Sequence, residues 1–322
     1  VFIDVAYTPQ QGMSHSLGID ALDDKLDISD LGYLRTNDSY GASYSFMTMQ
    51  SQGLPSWLRN RSLGLFLRAN QNGDGYLNRG YAGVFAGLLF ADNSEFRMEM
   101  NYLPAYYDDK NSRGNGLFQY EGGHMVLFSY GTSTAKKFAT SIQFGSRGGM
   151  DTNISYIADF GFTYRPVDRF SLDFDLGFVQ SDNWYLHQGD TLFTSFDALQ
   201  VRPGLSMDYF ISANQQLRFS LQWIGIVAEE TEFWRVPTTP GRLIRRTKNS
   251  PSNVDDFAVS QMTSQLRYRW EIAPLSDLFI VYTRGSNLPN QYNDDFGSLF
   301  EEAFNQPIID TFTVKLRYRF SS

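Results

Sequence analysis

Residues 311–320 read TFTVKLRYRF, and their alternation decides the fold class of this chain. Successive side chains of a β-strand point to opposite faces. One face of this stretch is wholly apolar: Phe312, Val314, Leu316, Tyr318 and Phe320. The other face carries Thr313, Lys315, Arg317 and Arg319. A strand with lipid on one side and water on the other needs this alternation, so the stretch predicts a membrane-spanning strand.

The same alternation recurs upstream, in residues 96–102, 155–165, 170–178, 217–223 and 261–271. Each segment places charged side chains on one face, and in a dry core every unpaired ion would cost several kcal/mol. A water-filled interior removes that cost. We therefore expect the following charged side chains to line a lumen: Asp173, Asp175, Arg218, Arg267, Arg269, Glu271, Lys315, Arg317 and Arg319.

Composition narrows the class of protein further. The 322 residues suffice for one large barrel or two soluble domains. The longest nearly uncharged apolar run, residues 81–91, is too short for a spanning helix, and the mean hydropathy is −0.34. Aromatic residues, at 16%, suit two interfacial girdles. The net charge of −8 argues against nucleic-acid binding, and the absence of Cys excludes disulfides and thiolate metal sites.

Short turns alternate with long polar connections along the whole chain. We count roughly fifteen strands and predict an all-β, transmembrane, antiparallel up-and-down barrel of about 14–16 strands, with residues 1–322 as one domain. The long loops, around Asp24, Asp109, Asp190, Arg245 and Asp295, are expected outside the cell. An odd count is unusual for a single-chain bacterial barrel, so we expect a further strand before Val1, unless the count is wrong.

Four stretches together resemble one family: DLGYLRTND at 30–38, LFIVYTRG at 278–285, SLF at 298–300 and VKLRYRF at 314–320. The family is an uncharacterised group of bacterial barrel domains that usually follow a carbohydrate-binding module of family-nine type. The resemblance runs from about residue 14 to the end. It implies an outer-membrane barrel with a β-sandwich module upstream, and it transfers neither a glycan-binding role nor catalytic residues.

Few residues are candidates for a metal or catalytic site. Asn70, Asn72 and Asp74 have the oxygen spacing of a calcium loop, but Tyr81 stands where the bidentate Glu belongs, so a Gly-rich hairpin loop is the favoured interpretation. The three histidines lack metal-ligand spacing. His187 with nearby carboxylates could imitate a rim hydrolase, yet nothing in the spacing requires proximity. We expect no enzyme activity, no catalytic residues and no cofactor.

The long loop before the last strand contains an apolar repeat near helical spacing. Its members are Phe296, Leu299, Phe300 and Phe304. Ser298 is a candidate N-cap with Glu301 as its capping-box partner. The predicted helix either packs on the barrel rim or forms a lid over the mouth.

Two function classes remain open from the sequence. The first is a porin-like conduit in the bacterial outer membrane, because a barrel of this size leaves an aqueous interior. The second is a scaffold or receptor whose lumen is filled by a partner chain or by a missing N-terminal module, with glycan binding as one version. The expected partners are the lipid bilayer, lipopolysaccharide, the barrel-assembly machinery and a periplasmic or lumenal protein, with no nucleic acid.

Overall fold

The computed structural model describes residues 1–25, 37–149, 153–248, 255–290 and 295–320, with only the backbone at 288–290. Most of the 30–38 stretch used for the resemblance lies outside these residues. The first strands are β1 (Phe2–Gln10), β2 (Met13–Leu22), β3 (Ser39–Gln50), β4 (Leu58–Gln71), β5 (Leu77–Phe90), β6 (Glu95–Leu103), β7 (Tyr106–Asp108), β8 (Phe118–Tyr120), β9 (Gly123–Gly131) and β10 (Phe138–Gly149). They are followed by β11 (Ile154–Val167), β12 (Phe170–Gly189), β13 (Leu192–Ser212), β14 (Gln215–Arg235), β15 (Gly241–Arg242), β16 (Ile244–Arg246), β17 (Phe257–Ala273), β18 (Ser276–Asn290), α1 (Phe296–Asn305) and β19 (Ile309–Arg317).

Sixteen of these strands form one sheet, which is antiparallel and runs up and down. Its path follows chain order from β1 to β19, omitting β7, β8 and β15, while β16 pairs only with β14. The all-β, up-and-down prediction and the count of about fifteen consecutive strands are confirmed. Within the described residues no pairing joins β1 to β19, and no closed barrel is formed.

The strand registers separate an apolar face from a polar face. One row of paired residues crosses β12, β13, β14, β17, β18 and β19 through Phe170, Tyr209, Leu217, Tyr268, Ile280 and Val314. A row three residues along passes on the opposite face through Asp173, Ser206, Ser220, Gln265, Thr283 and Thr311. Side chains alternate between faces, so we call the first surface the apolar face and the second the polar face.

Register also assigns the two faces of β5, which are both apolar in the sequence. Val84 lies opposite Leu65 on the apolar face, whereas Phe85 lies opposite Gly64 on the polar face. The Phe85 ring stacks on Phe66 with centroids 5.6 Å apart and covers Gly64. A Cβ atom at position 64 would lie 1.8 Å from the Phe85 ring. Glycine is therefore required there, because the ring occupies the volume of its missing side chain.

The hairpins in the second half of the sheet are longer than predicted. The prediction of a long loop around Asp190 is wrong, because β12 continues to Gly189 and β13 begins at Leu192. Pairing persists there because aromatic side chains pack across the strands. Phe193 and Phe196 are almost completely buried and belong to two separate hydrophobic clusters. In the sequence, the polar residues between them concealed the strands.

The connections fall at two ends of the sheet. The turn end carries the connections at 11–12, 51–57, 91–94, 132–137, 168–169, 213–214 and 274–275. The loop end carries the others, including a small second sheet in which β8 pairs with both β7 and β15. Among the residues that the structure describes, no helix has the length and apolar character needed to cross a membrane.

The two edge strands of the sheet are unlike the others in exposure. Every residue of β1 and every residue of β19 is exposed on both faces. Each strand has one hydrogen-bonded neighbour among the described residues, β2 and β18 respectively. Both edges therefore present unpaired backbone groups.

Candidate functional site: the polar face

The charged residues singled out in the sequence occupy one face of the sheet. Register places Asp173, Asp175, Arg218, Arg267, Arg269, Glu271, Lys315 and Arg317 in rows of the polar face. Arg319 lies just beyond β19, and its backbone N–H donates to the Ser276 hydroxyl at 3.0 Å. Their role as a lumen lining stays a prediction, but the sheet does gather them on one surface.

Asp277 is a buried carboxylate on this face that pairs with two arginines. Its side chain is 1% exposed, and Oδ1 accepts from the Arg269 guanidinium at 2.8–2.9 Å. Oδ2 accepts from Arg317, the residue directly opposite it in β19. The side chain thus joins β17, β18 and β19 near the turn end. Asp277 was not among the predicted lumen residues, because it lies at the start of a strand directly after a turn.

A second ion pair, between Arg218 and Asp208, lies next to a cation without a partner among the described residues, Arg267. Arg218 Nε donates to Asp208 Oδ2 at 2.7 Å, and Gln216 donates to Asp208 Oδ1 at 2.7 Å. Arg267 lies directly opposite Arg218 in the register, is half-buried, and forms no hydrogen bond or ion pair with any described residue. Like charges directly opposite each other destabilise a sheet.

Asp173 and Asp175 have neutral cross-strand neighbours. Asp173 accepts hydrogen bonds from the hydroxyls of Thr163 at 2.5 Å and Ser171 at 3.0 Å. Asp175 lies opposite Gly161 and Gly204, the small residues of the neighbouring strands. The cross-strand neighbours of these two carboxylates are therefore hydroxyls and glycines rather than arginines.

A separate polar network, not anticipated from the sequence, lies near the loop end of β2 to β4. Arg68 donates to Asp20 Oδ1 and Asn70 donates to Asp20 Oδ2, both at 2.7 Å. The Asn70 side chain also reaches Ser39 at 3.2 Å. The signal that could have found it is the charge of Asp20 and Arg68 at polar positions of alternating strands.

The calcium-like stretch is used to close a hairpin. Asn70 belongs to the network with Asp20, while Asn72 Oδ1 accepts from the Tyr76 backbone N–H at 2.8 Å. Asp74 lies at the tip, next to Gly75 with φ of +84°. The described residues contain no group of three or more His, Cys, Asp or Glu side chains that could hold a metal ion.

Each histidine is bonded to a group that does not orient it for catalysis. His187 Nε2 lies 2.7 Å from the backbone carbonyl of Asp190, and His15 Nδ1 lies 2.8 Å from the Tyr44 hydroxyl. His124 Nε2 lies 2.9 Å from Ser146 Oγ. None of these hydrogen bonds brings a carboxylate to an imidazole, so the described residues do not assemble a Ser-His-Asp arrangement around these histidines.

Helix α1 packs flat against the apolar face of β14 and β17. Leu299 and Ala303 are fully buried against Trp223 and Met262. The indole N–H of Trp223 donates to Ser260 Oγ at 2.9 Å, and that hydroxyl donates to the Leu299 carbonyl at 2.7 Å. The amphipathic-helix prediction is confirmed, and its role as a rim element or a lid stays a prediction.

The caps of α1 differ from those predicted. Asp295, not Ser298, is the N-cap: its carboxylate accepts from the backbone N–H groups of Gly297 and Ser298 at 3.0 and 3.2 Å. The Ser298 hydroxyl, followed by those N–H groups, lowers the pKa of Asp295 below its usual 3.8. At the other end Arg284 donates to the Phe304 carbonyl at 2.8 Å through Nε and stacks on the Phe304 ring.

These features define the class: a large antiparallel up-and-down β-sheet protein with one charged face and one exposed apolar face. The chain belongs to the family described as a domain of unknown function, DUF5916, whose family model matches residues 5–320. No curated protein matches the chain.

Proposed function

We propose that this chain is an outer-membrane β-barrel that forms a water-filled, charge-lined conduit for solutes. The observation that carries the proposal is the exposed apolar face. Ile142, Phe160, Leu266, Val314 and Leu316 are 40–60% exposed, and they belong to β10, β11, β17 and β19. Soluble monomers rarely expose apolar patches larger than a few hundred Å². Lipid would cover this face without cost.

The polar face supports an aqueous interior. It carries paired but still hydrated charges, such as Arg202 with Asp159, whose side chains are 43% and 35% exposed. A closed barrel of about sixteen strands leaves a channel wide enough for water. In that arrangement the polar face lines the channel and the apolar face meets lipopolysaccharide and phospholipid. Insertion would depend on the barrel-assembly machinery.

Closure is a physical requirement of this proposal. Unsatisfied backbone N–H and C=O groups cost several kcal/mol each in hydrocarbon. In a membrane β1 and β19 therefore each need a second neighbour. That neighbour is the other edge strand, an additional segment such as the expected upstream strand, or a second chain.

A scaffold or receptor is the second candidate, and the two exposed edges favour it. An extended segment can add to an open edge through main-chain hydrogen bonds. The occupant would be a periplasmic or lumenal protein, or the upstream module implied by the family resemblance. In that case the lumen is filled and glycan binding belongs to the partner or module rather than to the polar face.

Conductance separates the two candidates. The purified full-length protein is added to planar bilayers in KCl, with a heat-unfolded sample of the same preparation as the control. We expect discrete, ohmic current steps from the native sample alone, because an open polar lumen conducts ions. A silent membrane, with the protein shown to be inserted, would contradict the conduit and favour the filled scaffold.

A further inference from the structure

One cavity of the polar face has an unusual charge. It lies at the turn end against β11 to β14 and β17, and it has a volume of about 1010 Å³. Its charged lining consists of six cations, Lys136, Lys137, Arg165, Arg169, Arg218 and Arg267, and three carboxylates, Asp168, Asp173 and Asp208. The lining residues therefore sum to +3, although Lys136 is paired with Asp92 outside the lining, in a chain whose net charge is −8.

Two of the three carboxylates facing this cavity are already occupied, and Asp168 is the one without a donor among the described residues. Asp173 accepts two hydroxyl donors, and Asp208 accepts from both Arg218 and Gln216. Arg165 is turned toward the Ser171 hydroxyl and the Thr134 carbonyl. The two occupied acids thus have little remaining capacity to neutralise further cations.

Several donors facing the cavity are unused. Arg267 has no protein partner among the described residues, and neither do the side chains of Lys137 and Arg169. Ser220 lies opposite Gln265, diagonal to Arg267, and its other cross-strand neighbour is Ser206 in β13. Neither serine hydroxyl has a bonded partner in the described part of the chain. An anion with several oxygens would use these donors and relieve the repulsion between Arg218 and Arg267.

We infer that this cavity binds a small soluble oxyanion, a solute that carries phosphate or carboxylate groups. A lipid headgroup is not the fitting occupant, because the cavity opens on the polar face and the acyl chains would meet the opposite face. Charge-assisted hydrogen bonds from guanidinium groups suit phosphate and carboxylate oxygens. The site's role in permeation, as an anion-attracting vestibule at the turn end, rests on the proposed conduit.

The test is phosphate binding to the full-length protein in detergent, measured by calorimetry at low salt. We expect saturable binding that weakens at least roughly tenfold in Arg267→Gln, because a charge-assisted hydrogen bond is lost. Arg245→Gln is the matched control. It removes the same charge from an exposed ion pair with Glu232, at the loop end of the sheet and away from the cavity. Arg267→Lys, which keeps the charge, should retain most of the affinity.

Several outcomes would overturn the inference: no saturable binding to the wild-type protein, equal binding by Arg267→Gln, or equal loss in Arg245→Gln. Circular dichroism of each variant shows that the sheet is intact. Bilayer conductance is recorded on the same samples. Current without phosphate binding rejects this site and leaves the conduit standing, whereas binding without current supports the site and rejects the conduit.

Discussion

Single carboxylates near the turn end hold neighbouring segments together. Asp92 lies in the turn between β5 and β6, where its Oδ1 accepts from the hydroxyl and the backbone N–H of Ser94 at 2.6 and 2.9 Å. Lys136, from the neighbouring turn, donates to Oδ2 at 3.2 Å. These contacts, those of Ser94 foremost, lower the pKa of Asp92 from 3.8 to about 2. The ionised form is therefore favoured by folding.

This pKa shift predicts a pH dependence of stability. Because the folded pKa lies below the unfolded value, the contribution is complete above about pH 4 and disappears as the pH falls toward 2. We expect the difference in urea midpoint between wild type and Asp92→Asn to be constant at neutral pH and to vanish near pH 2. Ser94→Ala removes the hydroxyl that lowers the pKa of Asp92 most, so the stability that ionised Asp92 contributes should be lost at a higher pH. A difference that persists unchanged at pH 2 would contradict the assignment.

Individual residues show what sequence patterns reveal and what they hide. The alternation of Arg267 and Arg269 with Leu266 and Tyr268 gives their shared face directly, since period-two patterning reports strand faces. Partners cannot be found that way. Asp277 faces Arg317 only because β18 and β19 adopt one register, and a register is fixed by turn geometry and cross-strand packing.

At the scale of elements, the attachment of α1 depends on one buried hydroxyl. Ser260 Oγ accepts from Trp223 and donates to the Leu299 carbonyl, so it links β14, β17 and the helix. We expect Ser260→Ala to leave the buried indole N–H of Trp223 without an acceptor and to cost about 1–3 kcal/mol. Leu299→Ala should cost about 2–5 kcal/mol, because it creates a cavity at a fully buried position.

Hydrogen exchange of residues 296–305 measures both effects. Exposed Glu301 provides the control, since Glu301→Ala removes no buried contact and should leave exchange in the helix close to wild type. Unchanged protection in Ser260→Ala and Leu299→Ala would show that the helix is held by other contacts.

The existence of this helix was predictable and its cap was not. The spacing of Phe296, Leu299, Phe300 and Phe304 reports an amphipathic surface whatever the surroundings. The cap depends on where the chain enters the first turn, and Asp295 at φ −88° and ψ 102° sets that entry. Likewise, the β12–β13 hairpin was hidden because its buried Phe193 and Phe196 pack into two separate tertiary clusters and are not part of a simple alternation.

For the whole molecule, the proposed membrane orientation predicts which connections face the outside. The strand ends joined by the longest connections, those after β2, β6, β14 and β18, lie at the loop end, whereas the connections at the turn end have two to seven residues. We expect an epitope tag inserted after Asp190, at the tip of the β12–β13 hairpin, to be labelled by antibody on intact cells. The same tag inserted after Asp168, at the turn end, should be labelled only after permeabilisation. Labelling of the Asp168 tag on intact cells would reverse the orientation.

Strand length varies around the sheet, and this variation affects the directions from which a large ligand can reach the opening. β12, β13 and β14 have 20, 21 and 21 residues, whereas β1, β6 and β9 have 9 each. A membrane crossing needs only about 9–11 residues, so in the proposed setting roughly ten residues of each long strand, about 33 Å at 3.3 Å per residue, stand clear of the lipid. The opening is then bordered by long strands on one side and by short strands on the other. A large ligand would therefore reach the opening from the side of the short strands more readily than from above or from the side of the long strands.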